Sequence, residues 1–188
     1  MIIYIHGFGG SGQGHKARVF REFFSGGGFV APSLPTNPEL ALDTLSELVE
    51  SFSRFDSVEV IGSSLGGFYA LCLSERFPWL RVVLINPSMR PYKTLQRAIG
   101  PLGGINFYDG SRYEWNEGHL EVLRSMAPNI YRTEKLLLLT QLGDELLEAS
   151  DAIGALQGCE QVIEEGGSHS FGGIERHVER IRDFLVGL

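Results

Sequence analysis

Short apolar runs alternate with amphipathic stretches along most of the chain. Residues 2–5, Ile2-Ile3-Tyr4-Ile5, predict a strand. A glycine-rich stretch at 7–14 follows. Val19, Phe20, Phe23 and Phe24 then gather on one side of a predicted helix, which Gly26-Gly27-Gly28 stops. Residues 29–31 predict a short strand running into Pro32. Ala41, Leu45, Leu48, Val49 and Phe52 recur with helical spacing on one face. The alternation then repeats, with a strand at 58–61, a turn at 62–67 and a helix at 68–77 closed by Pro78. The unbroken apolar run at 81–85 predicts a strand buried on both faces.

Residues 86–133 break this rhythm. They are rich in Pro, Gly, Tyr and Asn, with helical pieces expected near 93–99 and 119–126. They read as a cap-like insertion over a sheet. A strand at 135–140, a helix near 145–156, a strand at 160–164 and a last helix restore the pattern. That last helix carries Ile174, Val178, Ile181, Phe184 and Leu185 on one face. Strands alternating with helices predict an α/β fold with a mostly parallel sheet, here as one domain over 1–188. Ligand sites in such sheets lie beyond the carboxyl ends of the strands, which singles out the loops after residues 5, 61, 85, 140 and 164.

Three of these loops carry a consistent chemistry. Gly62-Ser63-Ser64-Leu65-Gly66 fits G-x-S-x-G between a strand and a helix. In a glycine-rich chain the pattern alone arises by chance roughly once in four such sequences, so its strand-to-helix context carries the signal. Ser64 is the residue centred between the two glycines. A serine hydroxyl needs a base, and the base needs an orienting acid. His169 is the histidine that follows the last strand, in a loop with glycines on both sides. Asp144 follows the strand before it, where an N-cap role is the alternative and Glu145 the substitute. Backbone N–H groups of Phe8 and Leu65 are the expected donors to an oxyanion. His6 then ties the first loop rather than acting in the chemistry.

Competing chemistries fit less well. Gly7-Phe8-Gly9-Gly10-Ser11-Gly12 matches G-x-G-x-x-G, but the second strand ends in Val30-Ala31-Pro32 without the acid a dinucleotide site requires. Gly14-His15-Lys16-Ala17 lacks the Gly-Lys-Ser/Thr of a phosphate loop. No metal cluster and no cofactor motif stands out. The net charge of −7 and a pI near 5.2 disfavour nucleic acid as partner. Cys72 and Cys159 have no metal spacing and read as buried free thiols. No apolar run approaches a membrane span. With no signal-like start, a cytoplasmic protein is expected.

Several segments together resemble the small YqiA/YcfP-like esterases of the α/β-hydrolase superfamily. They are Tyr4-Ile5-His6-Gly7-Phe8, Ile61 to Gly67, Asn86-Pro87-Ser88-Met89-Arg90-Pro91, Gly143-Asp144-Glu145 and Glu165-Gly166-Gly167-Ser168-His169. The resemblance implies hydrolysis of carboxylic esters or acyl thioesters. It implies a Ser64–Asp144–His169 triad with Phe8 and Leu65 as oxyanion donors. The glycine-heavy stretch at 9–14 departs from the family pattern and bears on the pocket rim. Arg90 and Tyr92 are the candidate substrate-binding residues. Arg90 would meet a carboxylate or phosphate, or else form a surface ion pair. Tyr92, Tyr108, Tyr113 and Trp115 would line an apolar pocket, or pack the insertion onto the sheet. A catalytically silent hydrolase fold serving as a binding protein is the alternative function.

Overall fold

The structure is a computed structural model describing residues 1–100, 103–130 and 132–188. Six strands form one parallel sheet: β1 (Ile2–Ile5), β2 (Phe29–Val30), β3 (Glu59–Ser63), β4 (Val82–Ile85), β7 (Leu136–Gln141) and β8 (Glu160–Glu164), in the order β2-β1-β3-β4-β7-β8. Helices α1 (His15–Phe23), α2 (Pro38–Phe52), α3 (Leu65–Arg76), α6 (Ala149–Ala155) and α7 (Val178–Val186) connect or follow them. Between β4 and β7 lie α4 (Pro91–Thr94), a two-stranded antiparallel ribbon of β5 (Gly104–Ile105) and β6 (Arg112–Tyr113), and α5 (Glu117–Ser125).

The apolar runs explain the layering. Successive side chains of a strand point to opposite faces. Val60, Val82, Leu84, Leu136 and Leu138 therefore pack on one face with residues of α2, α3 and α5. Ile61, Val83, Ile85, Leu137 and Leu139 pack on the other with α1 and α7. Both faces are covered, so β4 is apolar throughout and β7 over residues 136–139, with polar residues only where β3 and β7 begin or end. The insertion belongs to the first of these clusters through Trp115, Leu120 and Leu123. Its residues 101, 102 and 131 lie outside the described residues.

Four local features differ from the pattern reading. β3 runs on through Gly62 and Ser63, and α3 starts at Leu65 rather than Phe68, so one residue, Ser64, makes the whole turn. The helix expected from 145 starts at Ala149, because residues 144–148 turn about the Asp144 carboxylate. The β5–β6 ribbon was not expected, its strands being two residues each. Of the cysteines, Cys72 is buried and Cys159 only half-buried, and both are free.

The chain winds outward from β1 to β2, then returns to place β3 on the other side of β1. The carboxyl ends of β1 and β3 therefore flank a switch point, where α/β sheets open a crevice. The first turn of α3 sits directly on the end of β1: a Cβ on Gly66 would stand 2.2 Å from the Ile5 carbonyl oxygen. Replacing Gly66 by Ala forces these backbones apart and is expected to cost about 3 kcal/mol of stability. Urea unfolding measures it, and a wild-type midpoint would contradict the close approach.

Candidate active site

Ser64 has φ 56° and ψ −121°, a conformation that L residues rarely adopt. The neighbours allow it. A Cβ on Gly62 would lie 2.3 Å from the Gly66 carbonyl oxygen, so the tight turn closes only with glycine there. Hydrogen bonds hold the strained residue: its N–H donates to Ile85 O at 3.1 Å, and its carbonyl accepts from Gly67 at 2.9 Å and Ser88 at 3.0 Å. The turn lifts the hydroxyl clear of the strand end.

The hydroxyl oxygen lies 3.0 Å from His169 Nε2. His169 Nδ1 lies 2.8 Å and 3.0 Å from the two Asp144 carboxylate oxygens. The Asp144 side chain is 2% exposed and that of His169 18%. Burial alone raises a carboxyl pKa, but hydrogen bonds from His169 and from the Leu146 and Leu147 N–H groups reverse the shift and hold Asp144 below the usual range. An ionised carboxylate only accepts. Nδ1 of a neutral His169 thus carries the proton, leaving Nε2 free to accept from Ser64. Asp144 is not the N-cap of the following helix, which is Glu148. Its Oδ1 instead accepts the Leu146 and Leu147 N–H groups, each at 2.9 Å, in the turn before that helix.

The His169 loop is held by side chains that the sequence reading passed over. Asn86, 2% exposed, donates to Ser168 O at 3.0 Å and His169 O at 3.2 Å, while its oxygen accepts from Gln141 N at 2.9 Å. Gln141 accepts from Ser168 N at 3.0 Å and donates to Glu164 and Gly172 O. Glu145 takes the backbone N–H of His169 at 2.9 Å, not its ring. Asn86 entered the sequence analysis only within the segment Asn86 to Pro91. Its place at the carboxyl end of a central strand was the available signal.

Phe8 and Leu65 both border the cleft that holds Ser64 and His169. The backbone at Gly7 presses on the serine, where a Cβ would lie 3.0 Å from Ser64 Cβ. Among the described residues, neither the Phe8 nor the Leu65 N–H has a hydrogen-bond acceptor. His6 Nε2 accepts from Leu34 N at 3.1 Å, so Nδ1 carries the proton and donates to Gly7 O at 2.8 Å. Burial pushes its pKa down, in keeping with this neutral tautomer. His6 thus anchors the loop, as expected.

The cleft measures about 270 Å³, with Leu95, Ala98, Leu146 and Leu147 among its apolar walls. Arg90 and Tyr92 are not part of it. Arg90 pairs with Asp151, and the Arg124 guanidinium lies 5.4 Å from the Tyr92 ring. Trp115 and Tyr113 support the Phe8 ring edge-on, at 4.7 Å and 5.7 Å, and Tyr108 is 65% exposed. Among the described residues no group of three or more His, Cys, Asp or Glu is arranged to hold a metal ion. No helix among them is long and apolar enough to cross a membrane.

This architecture is the α/β-hydrolase fold. The chain resembles a putative hydrolase of the alpha/beta superfamily from Xanthomonas campestris pv. campestris, with a TM-score of 0.69 at 19% identity, covering 100% of this chain and 98% of that one. It also resembles the Paleococcus ferrophilus monoacylglycerol lipase, with a TM-score of 0.68 at 17% identity, covering 99% and 93%. The chain belongs to UPF0227, an uncharacterised protein family whose model matches residues 1–186. It is 24% identical over 194 residues to the UPF0227 protein YcfP of Salmonella newport (strain SL254), covering 98% of each chain.

Glu164 ties the last strand to this loop. Its carboxyl is held down at about 2, first by the Gln141 amide, then by Arg176 and His177, against the opposing effect of burial. A depressed carboxyl pKa stabilises the fold above the unfolded value of 4.5 and loses that contribution as pH falls toward 2. Glu164→Gln is therefore expected to lower Tm at pH 7 and to have little effect near pH 2. An equal loss at both pH values would contradict the assignment.

Proposed function

We propose that this protein is a serine hydrolase that cleaves carboxylic esters or acyl thioesters. The observation that carries the reading is the chain of contacts from Ser64 Oγ through His169 to Asp144, at 3.0 Å and 2.8 Å, on a strained strand-to-helix turn. Ser64 Oγ attacks the acyl carbon while His169 Nε2 takes its proton. Asp144 holds the imidazole in orientation and stabilises its charged form. The backbone N–H groups of Phe8 and Leu65 receive the developing oxyanion. Collapse breaks the bond to the alcohol or thiol, which leaves with the proton from Nε2. Water, deprotonated by the same nitrogen, then releases the acid and restores Ser64.

The apolar cleft suits an acyl chain. Residues 86–133 act as a cap within one domain, and Leu95, Ala98 and Phe107 bring that cap to the cleft. Protein groups supply every proton transfer in this sequence.

The test is labelling with a fluorophosphonate probe beside turnover of p-nitrophenyl butyrate. The adduct is expected on Ser64. Ser64→Ala is expected to lose it and to lower kcat at least about 10³-fold, with His169→Ala nearly as severe. A folded protein that takes no probe and turns over no ester would instead be a silent hydrolase fold with a binding role.

A further inference from the structure

Ser64 and His169 also border a second cleft, of about 260 Å³ and different character. Tyr4, Ser11, His15, Lys16 and Ser170 stand in its walls. Phe107 lines both clefts. Lys16 is the notable group. Its Nζ donates to the Ser170 carbonyl oxygen at 2.6 Å. An ammonium has three donors. Among the described residues that carbonyl is the one acceptor assigned to it, and no carboxylate lies within ion-pair distance. The neighbouring carboxylates are already engaged, Glu175 by His15 at 3.2 Å and Asp144 by His169.

A partly exposed cation with spare donors and no ion-paired carboxylate, in a cleft that the proposed nucleophile also borders, suits an anion. We propose that the second cleft receives the leaving-group half of the substrate and that Lys16 binds an anionic oxygen group, carboxylate or phosphate, carried on it. The inference rests on the ester-hydrolase reading of the same site. The apolar cleft takes the acyl half. The leaving group must lie next to His169, which supplies its proton. His169 borders both clefts, and with the acyl half in the apolar one the Lys16 cleft is left for the leaving group. Burial pushes the Lys16 pKa down to about 8, against the pull of the Asp144 charge, so the group stays mainly cationic at neutral pH. The competing cation is Arg97, exposed at the rim of the apolar cleft.

The experiment compares butyrate esters of three phenols: 4-hydroxybenzoate, 4-hydroxyphenyl phosphate and the neutral 4-hydroxyacetophenone. The readout is the charged-to-neutral ratio of kcat/KM in wild type, Lys16→Met, Lys16→Arg and Arg97→Met. Lys16→Met is expected to lower the ratio about tenfold, mainly through KM, the scale of one charge-assisted hydrogen bond. Lys16→Arg and Arg97→Met are expected to keep it. The larger of the two wild-type ratios identifies the anion. A ratio unchanged in Lys16→Met, or lost in Arg97→Met instead, overturns the proposal. So does an equal fall on all three esters, which makes Lys16 only a tether for the Ser170 carbonyl. If wild type cleaves none of the esters, the hydrolase reading fails separately. Calorimetric titration of 4-hydroxybenzoate and 4-hydroxyphenyl phosphate then decides the anion site: binding lost in Lys16→Met supports it, and binding equal in the two proteins, or absent from wild type, overturns it.

Discussion

The positive φ of Ser64 is the constraint on which the site depends. A serine in this conformation carries strain that the rest of the fold must hold in place. It does so from both flanks. The backbone of β4 accepts its N–H, while α3 and the loop after β4 fill its carbonyl. Glycines at 62 and 66 let the strand, the helix and the end of β1 meet closely enough for this.

The contacts from Ser64 to Asp144 span three loops on three different strands. No single loop fixes such geometry, and a positional error of an ångström weakens proton transfer severely. Here the loops are joined by side chains that span them. Asn86 links the ends of β4 and β7 to the His169 loop, and Gln141 links β7 to that loop and to β8. Among the described residues no buried side-chain nitrogen or oxygen lacks a partner. A polar network of this kind rigidifies only when it is complete.

Sequence alone reached the alternation of strands and helices and named Ser64, Asp144 and His169, which the structure brings together, because both readings rest on local signals. The period-two and helical patterns placed the elements. The glycines around Ser64 and His169 marked two of the loops that meet at the site. Other features depend on partners distant in sequence. Arg90 and Tyr92 were drawn toward the substrate by their residue types, yet Asp151 and Arg124 occupy them. Asn86 has no local signature, since its four partners come from positions 140, 141, 168 and 169. The start of α3 at Leu65 was hidden because a one-residue turn leaves no loop to read.

The residue after Asn86 matters for how long this brace lasts. Asparagine ages to aspartate when the next backbone nitrogen attacks its side-chain amide and closes a succinimide. Pro87 has no N–H with which to do so. The usual deamidation route is closed at an amide that joins the ends of β4 and β7 to the His169 loop. A carboxylate there would face the two carbonyl oxygens that Asn86 now binds. The Asn-Pro pair therefore gives the site chemical durability, apart from the turn geometry that proline also sets.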